Sequence, residues 1–294
     1  MEGTHKSMRR TVLLLATMAL AILLAGGVAQ AIINGELDRG SNAHPYVGAL
    51  VSVPPSGEFK GQRIPICSGT LISARVFLTA GHCTDTIVER GLPTYVSLDP
   101  TYEVGSSKVR RGTPHTHPKF CIPTPEDITE CTPELPEILA LPRDARYDVG
   151  VVVLDEPVSM ATYGALPQAG LVGTLDEGQP LTVVGYGVNG FDIGSEPPLQ
   201  PQPAVLEDRY RATVRLLNTK NPDVGEGFVK TMGISIGGGG EGACYGDSGG
   251  PLFVADQQTI VGVTSFGTVP LCRGAGYYQR MDLPGVFSWI RSFL

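Results

Sequence analysis

The stretch Gly246-Asp247-Ser248-Gly249-Gly250-Pro251 carries the most specific pattern in the chain. Three glycines surround one serine, and glycine adopts tight backbone turns without steric cost. Such a turn lets the backbone N–H groups of Gly246 and Ser248 converge on one developing negative oxygen. The stretch therefore predicts a nucleophilic serine that carries its own oxyanion hole.

Two segments upstream contain the partners that such a serine needs. A serine hydroxyl is a weak nucleophile near neutral pH, so a neighbouring base must take its proton. Leu78-Thr79-Ala80-Gly81-His82-Cys83 supplies a histidine, whose ring titrates near neutrality. Tyr147-Asp148-Val149-Gly150-Val151-Val152 supplies an aspartate at the head of an apolar strand. Asp148 would accept a hydrogen bond from His82, hold its tautomer and stabilise the imidazolium.

Each segment also has a structural interpretation. A histidine beside a cysteine is usually structural, an aspartate before a strand is usually a turn residue, and Gly-Asp-Ser-Gly-Gly fits turn chemistry. For the first two segments taken singly, the structural interpretation is favoured. The three together, in the order His82, Asp148, Ser248, favour a catalytic set.

These motifs resemble the chymotrypsin-like (trypsin-family) serine proteases, in which the three residues follow the same order. Gly185-Tyr186-Gly187, Ser265-Phe266-Gly267 and the stretch from Val286 to Ile290 resemble further motifs of that family. The resemblance extends over most of the chain. It implies His82 and Asp148 in a first barrel and Ser248 in a second.

The fold class expected is all-β. Short runs rich in Val, Ile, Thr and Tyr alternate with turns rich in Gly, Pro and Asp. The resemblance implies two six-stranded antiparallel β-barrels, about residues 32–165 and about 166–280, followed by a helix over 281–294. Asp282 is the expected cap of that helix, and Pro284 belongs to its first turn.

Residues 1–31 are typical of a secretory signal peptide. A basic start precedes an apolar run from Val12 to Ala25, and small residues lead to Ala31. An uncleaved anchor is the alternative, but this run is shorter than the roughly 20 residues that span a membrane. We expect a peptidase domain over 32–294 that is secreted, extracellular or periplasmic, with no membrane contact after cleavage.

The resemblance also implies an activation step. A freed amino terminus at Ile32-Ile33-Asn34-Gly35 would fold inward and pair its ammonium with Asp247, which orders the oxyanion hole. Signal cleavage after Ala31 falls immediately before Ile32, so export and activation would be one cut. The alternative is cleavage a few residues earlier, which would leave an inhibitory stub for another protease.

All six cysteines lie in the exported part, where an even number favours disulfides over metal ligands. No zinc-ligand spacing is present, so we expect no metal and no cofactor. Spacing alone leaves the connectivity open. The resemblance implies the bridges Cys67–Cys83 and Cys244–Cys272, which leaves Cys121 with Cys131 as a third.

The resemblance places the substrate pocket as well. Gly242 stands where trypsin-type enzymes have an aspartate, and Gly267 and Gly276 stand at two wall positions beside Ser265-Phe266. An open pocket without a carboxylate predicts a large apolar or aromatic residue before the scissile bond. Glu241 is usually read as a solvated loop charge; the alternative is that it turns toward the pocket and admits basic residues.

Composition narrows the function classes. The chain is 42% hydrophobic and 17% charged, as globular proteins are, and its net charge of -7 leaves no basic surplus for a nucleic-acid partner. We therefore expect a monomeric secreted serine endopeptidase, a hydrolase of protein or peptide substrates that works through an acyl-enzyme; a protein inhibitor is a candidate partner. The alternatives are a catalytically weak, protease-like binding module and an esterase with the same triad. The esterase is the weaker one, because no Gly-x-Ser-x-Gly elbow follows a strand in an α/β pattern; the serine context here is Gly-Asp-Ser-Gly-Gly.

Overall fold

The computed structural model describes most of the chain after residue 31. The described residues are 32–40, 42–121, 147–188, 190–192, 200–202, 207–220, 226–233, 240–255, 258–268, 272 and 274–294. The expected signal peptide and Cys131 lie outside them.

The first barrel consists of six antiparallel strands: β2 Val47–Ser52, β3 Ile64–Leu71, β4 Val76–Thr79, β5 Thr94–Ser97, β6 Arg110–Thr116 and β7 Gly150–Leu154. They form a closed ring in the order β2-β3-β4-β7-β6-β5. Every residue of β2 and β4 is buried. Closure leaves these apolar strands without a free edge that could pair with another chain.

The second barrel also closes. Its strands are β8 Pro180–Gly185, β11 Tyr210–Asn218, β12 Phe228–Met232, β13 Pro251–Phe253, β14 Ile260–Gly267 and β15 Gly276–Arg280. They follow the order β11-β12-β15-β14-β13-β8, and β8 pairs back with β11. The expectation of two six-stranded antiparallel barrels is confirmed.

Three short strands complete the sheets. β1 Glu36–Leu37 pairs with the start of β11, so the segment that follows Ile32 joins the second barrel. β9 Gly190–Asp192 and β10 Gln200–Gln202 pair with each other in a separate two-stranded sheet.

Within the described residues, two α-helices and one 3-10 turn, Leu171–Thr174, accompany the barrels. The helix α1, Gly81–Glu89, was not predicted, because its nine residues are too few for a helical period to stand out; Cys83 and Ile87 form part of its buried face. The helix α2, Pro284–Arg291, was predicted and buries Val286 and Ile290. In the described part of the chain, neither helix is long and apolar enough to cross a membrane.

The expected cap of α2 is wrong. Leu283 is the N-cap residue, and no side-chain hydrogen bond caps the helix. The Asp282 carboxylate accepts hydrogen bonds from the Arg280 guanidinium and the backbone N–H of Val172, each at 2.9 Å. Because its oxygens are taken by these charged and backbone donors, Asp282 stabilises the second barrel instead.

A buried ion pair ties the amino-terminal segment to both barrels. Arg209 Nε donates to Asp38 Oδ2 at 2.9 Å, and Arg209 Nη1 donates to the Val47 carbonyl of the first barrel at 2.8 Å. His44 Nδ1 lies 3.0 Å from the same Asp38 oxygen. Burial alone would raise the pKa of Asp38, but hydrogen bonding and charge from His44 and Arg209 outweigh it and lower that pKa.

The two barrels share one apolar core at their seam. It joins Leu50, Leu78 and Val151 of the first barrel to Val184 and Phe253 of the second. Side chains that meet at this seam are therefore positioned by both barrels.

Candidate active site

His82 and Asp148 are brought together by the pairing of β4 with β7. Thr79, the last residue of β4, lies opposite Gly150, the first of β7. His82 follows β4 in the first turn of α1, and Asp148 precedes β7. His82 Nδ1 lies 2.9 Å from Asp148 Oδ2 and 3.1 Å from Oδ1, and the His82 backbone N–H donates to Oδ1 at 2.8 Å. The carboxylate therefore holds both the ring and the backbone of His82.

The ionised form of Asp148 and the protonated form of His82 stabilise each other. Burial opposes ionisation of Asp148, but the charge and hydrogen bonds of His82, with the Ser265 hydroxyl, lower its pKa. Burial likewise opposes protonation of His82, yet the charge and hydrogen bond of Asp148 outweigh it and raise the pKa of the imidazole. An ionised Asp148 thus stabilises the protonated form of His82.

Gln279 anchors Asp148 from the second barrel. The backbone N–H of Asp148 donates to Gln279 Oε1 at 3.0 Å, and Gln279 Nε2 donates to the Gly227 carbonyl at 3.0 Å. Sequence reasoning missed this residue, because a glutamine within a strand carries no signal of its own.

The loop that carries Ser248 depends on its glycines. Gly246 and Gly249 have φ of 92° and 84°, in the left-handed region that favours glycine. A Cβ at Gly249 would also overlap Thr79 and Ser68 of the first barrel. The loop can therefore approach the first barrel closely, and the Ser248 carbonyl accepts the Ser68 backbone N–H at 2.8 Å.

His82 and Ser248 both line one cavity of about 460 Å³. All five residues predicted for the substrate pocket also line it, namely Gly242, Ser265, Phe266, Gly267 and Gly276. Sequence reasoning missed other lining residues, among them Thr231, Tyr245 and Tyr278. Asp148 lies behind His82, fully buried.

Glu241 is turned away from this cavity. Its Oε2 accepts the backbone N–H of Thr213, on β11, at 2.8 Å. Among the described residues that line the cavity, none is an aspartate or a glutamate.

Asp247 is fully buried beside the Ser248 loop. Its two carboxylate oxygens accept the backbone N–H groups of Gly187 and Cys244, each at 2.8 Å. Burial raises the pKa of Asp247 to about 7, although these two hydrogen bonds lower it. Ile32, its predicted partner, is also fully buried and packs in the core of the second barrel. The ion pair between them stays a prediction.

Two of the predicted disulfides are present. Cys67–Cys83 joins β3 to α1 next to His82, and Cys244–Cys272 joins two segments of the pocket wall. Cys121 is disulfide-bonded as well, but its predicted partner, Cys131, lies outside the described residues.

Two closed antiparallel barrels, with a histidine–aspartate pair and a glycine-rich serine loop along their seam, define the class of chymotrypsin-like proteins. The family model described as Trypsin matches residues 40–290. The chain belongs to the Trypsin family.

Individual relatives agree with this assignment. The chain is 30% identical over 237 residues to Trypsin 5G1 of Aedes aegypti, covering 77% of this chain and 71% of that protein. It is 27% identical to Ovochymase-2 of Mus musculus, covering 83% of this chain but only 38% of the mouse protein. A solved mutant of human heparin binding protein matches with a TM-score of 0.57 and 19% identity, over 89% of this chain and 96% of that one. This last likeness shows the fold alone.

Proposed function

We propose that this Trypsin-family chain is a secreted serine endopeptidase with His82, Asp148 and Ser248 as its catalytic triad. The observation that carries the proposal is the placement of His82, held by the buried Asp148, in the wall of the cavity that Ser248 also lines. Its substrates are proteins or peptides. The proposed mechanism needs no metal or cofactor.

In the proposed reaction Ser248 Oγ attacks the peptide carbonyl carbon while His82 Nε2 takes the hydroxyl proton. The carbon–nitrogen bond then breaks as His82 returns that proton to the leaving amine, which leaves an ester on Ser248. Water attacks this ester with His82 again as the base, and the proton finally returns to Ser248 Oγ. Asp148 stays ionised and stabilises the imidazolium in both halves.

The backbone around Ser248 supports an oxyanion hole formed by the N–H groups of Gly246 and Ser248. The Tyr245 carbonyl accepts the backbone N–H of Val188 at 2.7 Å. In a trans peptide the carbonyl and the following N–H point in opposite directions, so the Gly246 N–H faces away from Val188. A donor fixed before substrate binds stabilises the transition state without reorganisation.

The pocket supports a preference for a large apolar or aromatic residue before the scissile bond. Gly242 places no charge at the pocket base, and the carboxylate of Glu241 accepts the backbone N–H of Thr213 on β11. A Cβ at Gly267 would have the Ala275 carbonyl oxygen, 3.8 Å away, as its nearest neighbour, so this wall stays open. A broad uncharged pocket favours burial of apolar surface.

We further propose that cleavage before Ile32 activates the enzyme. Both proposed partners, Ile32 and Asp247, are fully buried. Ile33 bridges to Gly242, and Asn34 Nδ2 donates to the Gly240 carbonyl at 2.7 Å. The amino-terminal segment thus contacts the pocket segment directly, and a new ammonium at Ile32 would act on the loop that precedes Ser248.

Cleavage-site profiling of the mature protein on a mixed peptide library tests the proposal. We expect cleavage after large apolar or aromatic residues, and a loss of about 10⁴-fold or more in Ser248→Ala. Ser288→Ala, an exposed serine on α2, serves as the matched control and should keep full activity.

Four other outcomes would contradict parts of the proposal. More than a few per cent of activity left in Ser248→Ala would refute the triad. Cleavage dominated by Arg or Lys would refute the pocket assignment. Peptide binding without turnover would favour the binding module, and turnover of esters but not peptides would favour the esterase.

A further inference from the structure

The backbone that carries Asp148 is strained. Tyr147, the residue before it, has a φ of 51°, in the left-handed region that bulky residues rarely adopt. The backbone N–H of Val149 donates to the Tyr147 carbonyl at 2.6 Å, so Asp148 is the central residue of a three-residue turn. Such a conformation costs free energy and persists only where the surrounding structure holds it.

The Tyr147 side chain is held by packing. Its ring stacks on the His117 ring, with centroids 4.7 Å apart and planes 7° apart. Gly285 of α2 lies against the edge of the same ring, since a Cβ placed on this glycine would be 3.4 Å from Tyr147 Cε1. These contacts act on the ring of Tyr147. The other end of the Tyr147–Asp148 peptide, its N–H group, needs a partner of its own.

Gln279 supplies that partner. Asp148 is fully buried, so its backbone N–H must find an acceptor inside the protein. Gln279 is 1% exposed, and its Oε1 accepts this N–H at 3.0 Å. At the other end of the amide, Nε2 donates to the Gly227 carbonyl at 3.0 Å. Because one end faces a donor and the other an acceptor, only one orientation of the amide satisfies both.

Two neighbouring strands of the second barrel act on Asp148 together. Gln279 of β15 lies opposite Val263 of β14. Ser265 follows two positions later on β14, and its hydroxyl donates to Asp148 Oδ2. The second barrel therefore contacts both the backbone and the carboxylate of Asp148, whereas His82 belongs to the first barrel.

We propose that Gln279 is a positioning residue, which holds the Tyr147–Asp148 peptide in its strained conformation and thereby aims the Asp148 carboxylate at His82. This inference rests on the proposed function. Without the acceptor, the peptide would relax toward a commoner backbone conformation and carry the carboxylate away from His82 Nδ1. A small displacement of a catalytic group costs a large part of its effect.

The place of Gln279 separates its effect on turnover from substrate binding. Gln279 is not among the described residues that line the cavity. It reaches the reaction only through Asp148 and His82, which act on the proton of Ser248. Loss of the Gln279 amide should therefore lower kcat and leave KM nearly unchanged.

Gln279→Met tests the assignment, because methionine has a similar length but no amide. We expect kcat to fall about tenfold, with KM nearly unchanged. The pKa of His82, which the charge of Asp148 raises, should fall as the carboxylate moves away. NMR titration of the His82 imidazole in the Ser248→Ala background measures this pKa without any turnover.

Two control variants separate positioning from a general loss of stability. Gln179→Met removes another glutamine oxygen that accepts a backbone N–H, that of Asp176 at 3.3 Å in the turn before β8. It should keep both kcat and the His82 pKa. Val214→Ala opens the buried core of the second barrel, so it should lower the unfolding free energy and still keep the His82 pKa.

A second pair of variants tests the strain itself and serves if Gln279→Met does not fold. Tyr147→Asn and Tyr147→Val both remove the ring, but asparagine tolerates a positive φ and valine does not. We expect kcat to be about fivefold or more higher in Tyr147→Asn than in Tyr147→Val. Equal kcat values in these two variants would overturn the role of the strained peptide.

The remaining outcomes distinguish this inference from the proposed function. A folded Gln279→Met with the kcat and the His82 pKa of the wild type would overturn the inference and leave the triad intact. A rise in KM alone would overturn it as well. Absence of all peptide cleavage by the wild type would instead overturn the proposed function, while the NMR titration would still show whether Gln279 holds Asp148 at His82.

Discussion

Ser68 and Gly246 are joined across the barrel seam: the Ser68 hydroxyl donates to the Gly246 carbonyl oxygen at 2.8 Å. The same hydroxyl accepts the backbone N–H of Tyr186 at 2.9 Å, and the Ser68 backbone N–H donates to the Ser248 carbonyl. The first barrel therefore holds the Ser248 loop on both sides of Asp247.

Replacing Ser68 by alanine should weaken turnover more than binding. The change frees the Gly246 carbonyl, so the oxyanion donors lose part of their fixed orientation. We expect kcat to fall by about three- to tenfold with KM nearly unchanged, as the loss of one hydrogen bond worth about 1 kcal/mol predicts. Steady-state kinetics measure this split. Ser52→Ala is the control, since the Ser52 hydroxyl bonds Pro93 within the first barrel; an unaltered kcat in Ser68→Ala would rule out the positioning role.

The pH profile should report the pair His82 and Asp148. The base must be neutral to accept a proton, so kcat/KM should rise with pH through the raised pKa of His82. Asp148→Asn removes the charge that raises this pKa, so the inflection should move to lower pH while activity falls about 10⁴-fold. NMR titration of the His82 imidazole in the Ser248→Ala background measures this pKa directly. If the inflection lies at the same pH with and without Asp148→Asn, the electrostatic coupling of His82 to Asp148 is contradicted.

The same shift has a consequence for stability. Because the folded-state pKa of His82 is raised, the pair contributes stability below the unfolded-state pKa of histidine. That contribution is lost as pH rises through the folded-state pKa. Urea denaturation at several pH values should show that the difference in unfolding free energy between wild type and His82→Gln shrinks toward high pH.

Asp247 should be required for activity after cleavage before Ile32. Asp247→Asn removes the proposed partner of a buried ammonium, at a cost of about 3 to 5 kcal/mol. Amino-terminal sequencing of freshly secreted protein, combined with an immediate activity assay, tests the route: a start at Ile32 with full activity supports one cut, and a longer inactive species refutes it. Full activity of Asp247→Asn would refute the ion pair itself.

The extended and cleaved forms should also differ in their pH dependence. In the described structure burial raises the pKa of Asp247 to about 7, which disfavours the charged form. Stability should therefore decline as pH rises from the ordinary carboxyl range toward 7 in a chain extended beyond Ile32. An ammonium at Ile32 would favour the charged form of Asp247, so the stability of the cleaved protein should not decline over this pH range. Parallel curves of stability against pH for the extended and cleaved forms would count against the pairing.

The buried pair of Asp38 and Arg209 should matter for folding. Asp38→Asn leaves the Arg209 guanidinium buried beside a neutral partner, and we expect a loss of about 3 to 5 kcal/mol of unfolding free energy. Arg39→Ala breaks an exposed ion pair with Asp208 and should cost under about 1 kcal/mol. Equilibrium urea denaturation compares the two variants, and equal losses would contradict the special role of the buried pair.

The stability that Asp38 contributes should also depend on pH. Since the pKa of Asp38 is lowered, its contribution to the free energy of unfolding is present above the usual carboxyl range and disappears as pH falls through the lowered value.

Local sequence was sufficient to predict the features that depend on a few neighbouring residues. The left-handed turns at Gly246 and Gly249 follow from glycine itself, and the apolar runs of β4 and β7 follow from their residue types. The barrels and the bridges Cys67–Cys83 and Cys244–Cys272 followed from a family resemblance carried by a few such motifs.

Sequence reasoning failed where a residue had a choice of partners. Asp282 has the side chain of a good helix cap, yet Arg280 and the Val172 backbone compete successfully for its oxygens. The helix Gly81–Glu89 escaped notice because packing of one short face, rather than a long period, stabilises it.

The sequence by itself determined which residues we propose to carry the chemistry: the serine among glycines, the histidine, the aspartate and the uncharged pocket at Gly242. Only the tertiary structure decided how they are held. Ser68 reaches Gly246 across 178 positions, and Gln279 reaches Asp148 across 131. Contacts at such separations leave no periodic or motif signal in the chain, because they exist only when two closed barrels bring their edges to one seam.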